Sequence, residues 1–110
     1  MADWQSEIQA EFDRAAQARQ RNNEGQARVC ARRAAGIAVR EYLSRRGIRP
    51  PSTSAYDLLN LVQADPLLPP ELKQTAVHLT VRVTEEFKLS VNVDLVAEAR
   101  EFCDRLLKIE

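Results

Sequence analysis

Apolar positions recur along this chain at helical spacing. From about Asp3 to Asn22, Trp4, Ile8, Phe12 and Ala15 follow one another at intervals of four, four and three, which keeps them on one stripe of a helix. Asp3 stands where an N-cap carboxylate accepts the free amides of a first turn, and Asn22-Asn23 breaks the pattern. A second helix is predicted from about Glu24 to Arg46, with Gly47 as its stop signal. At about 100° per residue, Ala27, Cys30, Ala31, Ala34, Ile37, Ala38 and Tyr42 share one arc of it. So much alanine lets a neighbour approach closely, so this helix is expected at the centre of the fold.

Arg49-Pro50-Pro51 then forces an extended connector, because proline disfavours the α region in the residue before it. Ser54 opens a short third helix, with Asp57 at the capping-box position usually held by Glu or Gln. Leu58, Leu59, Leu61 and Val62 follow. Asp65-Pro66 and Pro69-Pro70 punctuate the next turn, and Pro70 suits a first helical position, where its missing N–H has no partner anyway. Helix four carries Leu72, Ala76, Leu79 and Val83 on one face. Residues 84–92 read equally as a fraying helix end or a loop. Helix five, from about Asn92 to Lys108, sets Leu95, Val96, Ala99, Phe102, Cys103, Leu106, Leu107 and Ile109 on one half. Short connections favour antiparallel neighbours. The expectation is a single all-α domain over residues 1–110, a four- to five-helix up-and-down antiparallel bundle.

Composition agrees. Aromatics at 5% and three glycines supply an all-β fold poorly. No run approaches the length of a bilayer span, so no membrane partner is expected. The acidic, polar start lacks a basic segment followed by an apolar one, which predicts a cytoplasmic protein. Cys30 and Cys103 sit within apolar-periodic segments, as buried free thiols do. With one histidine in the chain, neither a metal site nor a cofactor is expected.

Two helices carry more apolar surface than one face of a core needs. Val29, Val39 and Leu43 lie opposite the alanine arc of helix two, and Val77 and Val81 opposite the core stripe of helix four. Either these helices are covered on both sides, or the five residues form a homodimer or partner surface.

A net charge of zero argues at first against a phosphate-bearing partner. The distribution changes that. Residues 14–49 hold ten arginines against Glu24 and Glu41, a local +8 cancelled by acidic residues towards both ends of the chain. Arg28, Arg32, Arg33, Arg40 and Arg46 share an arc of helix two away from its alanines, and the planar arginine fork suits phosphate. Arg33 and Arg40 are therefore candidates to bind a nucleotide or an RNA backbone. Pairing with the acids of helices one and five is the competing use of the same side chains. His78 and Arg82 share an edge of helix four off its core stripe, which reads either as a solvated helix edge or as a phosphate-facing pair. No catalytic motif accompanies them, and no enzymatic activity is expected.

The order of these segments, from Ala27-Arg28-Val29-Cys30-Ala31-Arg32-Arg33-Ala34-Ala35-Gly36-Ile37-Ala38 through Ser54-Ala55-Tyr56-Asp57-Leu58-Leu59 and Pro69-Pro70-Glu71-Leu72 to Arg82-Val83 and the last helix, resembles the HEPN domains (higher eukaryotes and prokaryotes nucleotide-binding). The resemblance implies a commonly dimeric bundle. It also implies a minimal nucleotidyltransferase as partner, in a module resembling toxin–antitoxin systems. Ribonuclease members of that family carry an Arg followed four to six residues later by His. Here Phe87 stands five residues after Arg82, and no arginine precedes His78 at that interval. The resemblance thus implies a catalytically degenerate member, in which Arg82 alone carries over. A bundle that only docks other proteins, with no nucleotide role, is the alternative.

Overall fold

The computed structural model describes residues 3–80 and 94–108. These form α1 (Trp4–Gln20), α2 (Glu24–Arg45), α3 (Ala55–Val62), α4 (Pro70–Thr80) and α5 (Leu95–Leu106), with no strand among them. Four helices begin on a side chain that satisfies a first-turn amide. Asp3 Oδ1 accepts from Ser6 N at 2.7 Å, Asn23 Oδ1 from Gln26 N at 3.1 Å and Ser54 Oγ from Asp57 N at 3.4 Å. Asp94 Oδ1 accepts from Val96 N and Ala97 N, both at 3.1 Å. The expected return contact in α3 is replaced. Asp57 is a methylene shorter than Glu, and it accepts from the Ser52 hydroxyl at 3.0 Å while Ser52 Oγ takes the Ser54 N–H.

α1 and α2 stop in the same way. Asn22 (φ 58°) and Gly47 (φ 73°) turn left-handed. The next amides then fold back, Asn23 N–H to Ala18 O at 2.8 Å and Ile48 N–H to Leu43 O at 2.9 Å. This Schellman closure pairs carbonyls that a helix end otherwise leaves open.

Side-chain links fix the helix directions. Arg40 meets Glu7 at 3.0 Å and Arg19 meets Glu24 at 2.7 Å, so α2 runs antiparallel to α1. His78 meets Glu98 at 3.1 Å and Arg105 meets Glu71 at 3.9 Å, so α4 runs antiparallel to α5. Arg45 donates to Leu107 O at 2.7 Å and Arg19 to Asp94 at 2.6 Å, which sets the ends of α5 beside the like ends of α2. α1, α2, α4 and α5 therefore form an up-down-up-down bundle, with short α3 inserted between α2 and α4.

α2 packs against all four other helices. Ala27, Cys30, Ala31, Ala34 and Ala38 are fully enclosed, as their small size and shared arc predict. Covering on several sides also corrects the interface expectation for two residues. Val39 has no exposure and Leu43 5%, so both are core residues and cannot contact a partner. Val29 is half-buried, and Val77 stays exposed at 39%. Val81, and the ambiguous stretch 84–92, lie outside the described residues.

A polar knot ties the end of α2 to the turn before α4. Tyr42 OH donates to Asp65 Oδ2 at 2.8 Å, and Arg46 Nη1 reaches the same oxygen at 2.6 Å. Burial works to raise the Asp65 pKa. The Leu67 amide, the Tyr42 hydroxyl and the Arg46 charge outweigh it and hold the carboxyl below its usual range. Both cysteines are free and buried, and burial pushes the Cys103 thiol up to about 12. No helix among the described residues is long and apolar enough to cross a membrane.

Candidate phosphate-binding cleft

Arg33 and Arg40 stand seven residues apart on α2, about two turns, and line the same cleft. α1 closes one wall with Glu11. Thr53, Ala55 and Leu58 close the other, and Gly36 and Ile37 lie between the two arginines in a space of about 280 Å³. Beside this cleft α3 sits close against α2. A Cβ on Gly36 would lie 2.6 Å from Ala55 Cβ and 2.8 Å from its Cα, so only glycine admits this approach.

Electrostatics differ along the cleft. Arg40 Nη2 donates to Glu7 Oε2 at 3.0 Å, which anchors its guanidinium and offsets its charge. Arg33 is exposed and has no carboxylate partner among the described residues. Glu11, one helical turn beyond Glu7 on α1, lines this cleft together with both arginines. Glu11 is only 9% exposed. Its Oε1 is buried and accepts no hydrogen bond among the described residues, although Arg14 Nη1 stands 3.1 Å away. Arg14 thus supplies compensating charge without the N–H direction that a hydrogen bond requires.

The other nominated residues go elsewhere. Arg32 turns inward and Nε donates to Leu79 O at 2.8 Å, with burial holding its pKa below the usual arginine value. Arg46 is taken by the Asp65 knot. Of the five arginines on that arc, Arg28 and Arg33 keep no such tie among the described residues. His78 is not a solvated helix edge. Its side chain is 12% exposed, and Nδ1 lies 3.1 Å from both Glu98 oxygens. Its Nε2 lies 2.8 Å from Gln74 Nε2. α5 covers the α4 edge that the sequence leaves open, and the structure does not bring His78 to Arg33 or Arg40. Arg82 lies outside the described residues.

Sequence reasoning named the arginines of this cleft but missed Glu11. The available signal was its position: three residues after Ile8 and four before Ala15, it sits on the apolar stripe of α1, where an acid must find a reason to be.

Two larger concavities suit a phosphate less well. One, of about 450 Å³, sets Trp4, Ile8, Cys103 and Leu107 beside Gln5, with Asp104 next to its one cation, Lys108. The other, of about 480 Å³ between α4 and α5, presents Glu71, Glu98 and Glu101 against Arg105 alone. No protein-family model matches the chain, and no curated protein or solved structure matches it.

Proposed function

We propose that the chain is a non-catalytic, HEPN-like binding bundle whose cleft between α1, α2 and α3 receives the phosphate of a nucleotide. The observation that carries this reading is that Arg33 and Arg40 open onto one cleft, with Arg33 free of any carboxylate among the described residues. A guanidinium in that position gives a phosphate two parallel charge-assisted hydrogen bonds. Arg40, held by Glu7, adds a second donor already in place. Ile37 and Leu58 offer apolar wall for a sugar or base face. A nucleotide fits better than a continuous RNA backbone, because Arg32, Arg40 and Arg46 are engaged within the protein and break the track.

Titration calorimetry with AMP at low salt tests this. Arg33→Ala should weaken binding about tenfold or more, the loss of one hydrogen-bonded charge of about 1.5 kcal/mol. Arg28→Ala, outside the cleft, should change it less than about twofold. Absence of AMP binding in the wild type, or equal losses in both variants, removes the proposal.

A second reading, docking of another protein, is favoured by apolar side chains left open on α3, α4 and the turn between them: Leu61 at 43%, Leu67 at 59% and Val77 at 39% exposure. On that reading the protein self-associates or takes a nucleotidyltransferase partner, and Val77→Asp lowers association without changing helical circular dichroism. A wild-type monomer at high micromolar concentration by light scattering rules out the homodimer.

A further inference from the structure

We infer that Glu11 is the specificity-determining residue of this cleft: its carboxylate accepts a ribose hydroxyl from the bound nucleotide, so the cleft selects ribonucleotides over analogues lacking that donor. The inference rests on the phosphate reading above and adds to it the part of the ligand that is recognised. Three observations lead to it. The first is position. Glu11 lines the same cleft as Arg33 and Arg40, opposite the wall of Thr53, Ala55 and Leu58. A phosphate held by Arg33 places the sugar attached to it in the same small space that the carboxylate lines.

The second is an unmet acceptor. Among the described residues no donor hydrogen-bonds either oxygen of Glu11. A largely buried carboxylate in that state forgoes favourable free energy that a ligand hydroxyl can restore. Oε1 is enclosed beside Arg14, so the ligand hydroxyl is assigned to Oε2. The third is charge. A carboxylate lining a phosphate cleft repels a bare polyanion, and it is retained at no such cost by a ligand that turns a hydroxyl pair towards it. Acidic side chains read ribose hydroxyls in this way in dinucleotide sites.

Calorimetry with AMP and with 2′,3′-dideoxy-AMP decides it. The wild type should bind AMP about tenfold or more tightly than the dideoxy form, the scale of one hydrogen bond to a charged acceptor. Glu11→Met, of similar length and without an acceptor, should bring the two nucleotides to equal affinity, because it removes the hydroxyl contact from AMP and relieves the dideoxy compound of the carboxylate's repulsion. Glu11→Gln, which keeps one acceptor oxygen, should reduce the preference without abolishing it. Equal wild-type affinity for the two nucleotides overturns the inference whether or not either variant folds, as does a preference that survives in Glu11→Met. Failures of the two readings are distinguishable. If neither nucleotide binds, or Arg33→Ala has no effect, the phosphate site itself is wrong. If binding depends on Arg33 but ignores the sugar, only the role of Glu11 is lost.

Discussion

Gly36 shows how one residue shapes the cleft. In an exposed helix, Gly→Ala stabilises by about 1 kcal/mol, because alanine loses less backbone entropy. Here the added methyl would meet Ala55 Cβ at 2.6 Å and, at 2.8 Å, its Cα, which is backbone and cannot rotate aside. α3 must move off α2, an overpacking cost of about 1–3 kcal/mol. We therefore expect Gly36→Ala to be destabilising on balance, with a lower urea midpoint, and to weaken nucleotide binding because Thr53, Ala55 and Leu58 move with α3. A raised midpoint would contradict this. At this scale the sequence was half legible. Arg33 and Arg40 declared themselves by side-chain type and shared arc. Glu11 and Gly36 did not, because their roles depend on which helix lies opposite, and Val39 and Leu43 misled for the same reason.

Helix boundaries were the most legible feature, because caps are local chemistry. Asp3, Asn22, Gly47, Ser54 and Pro70 each act within a few residues of themselves. The start of α5 was harder to place. The periodicity begins near Asn92, whereas the cap is Asp94, chosen by a residue 75 positions away. Arg19 Nη2 donates to Asp94 Oδ1 at 2.6 Å and its Nε to Glu24, tying the start of α5 to the α1–α2 turn. Hydrogen bonds from Arg19 first, then the Ala97 amide, hold the Asp94 carboxyl below its usual range. Asp94→Ala should cost about 1 kcal/mol, most of it the cap, since the ion pair is half-exposed and screened. A group whose folded pKa is depressed contributes stability above its unfolded value, near about 3.9, and loses it as pH falls through the lower folded one. The deficit of the variant, read from thermal melts, should be full at neutral pH and shrink in strong acid by the part that depends on the charge, the neutral carboxyl still capping the helix. Asp94→Ser, which keeps the cap and drops the charge, should recover most of it. A deficit independent of pH would show that the carboxylate charge has no part in it.

For the whole molecule, charge was legible as a sum and as a segment but not as a surface. The +8 stretch looks like a phosphate track until its side chains are followed. Arg14, Arg19, Arg40, Arg45 and Arg46 each meet a carboxylate, and Arg32 meets a backbone carbonyl. Glu7, Glu11, Asp65 and Asp94 from outside the segment, and Glu24 and Glu41 within it, thus occupy half of its arginines. Arg21, Arg28, Arg33 and Arg49 remain without a carboxylate among the described residues. The two pictures differ in salt dependence. Each phosphate contact on a single strand contributes about 0.7 to the log–log salt slope, so ten free arginines would give about −7 and four at most about −3. We expect a ten-nucleotide RNA followed by fluorescence anisotropy between 50 and 200 mM salt to give a slope near about −1, the signature of a single site. Its affinity should stay within a few-fold of that of AMP. A slope steeper than about −3 would mean that the internal ion pairs open to bind RNA, and that the basic segment is a nucleic-acid surface after all.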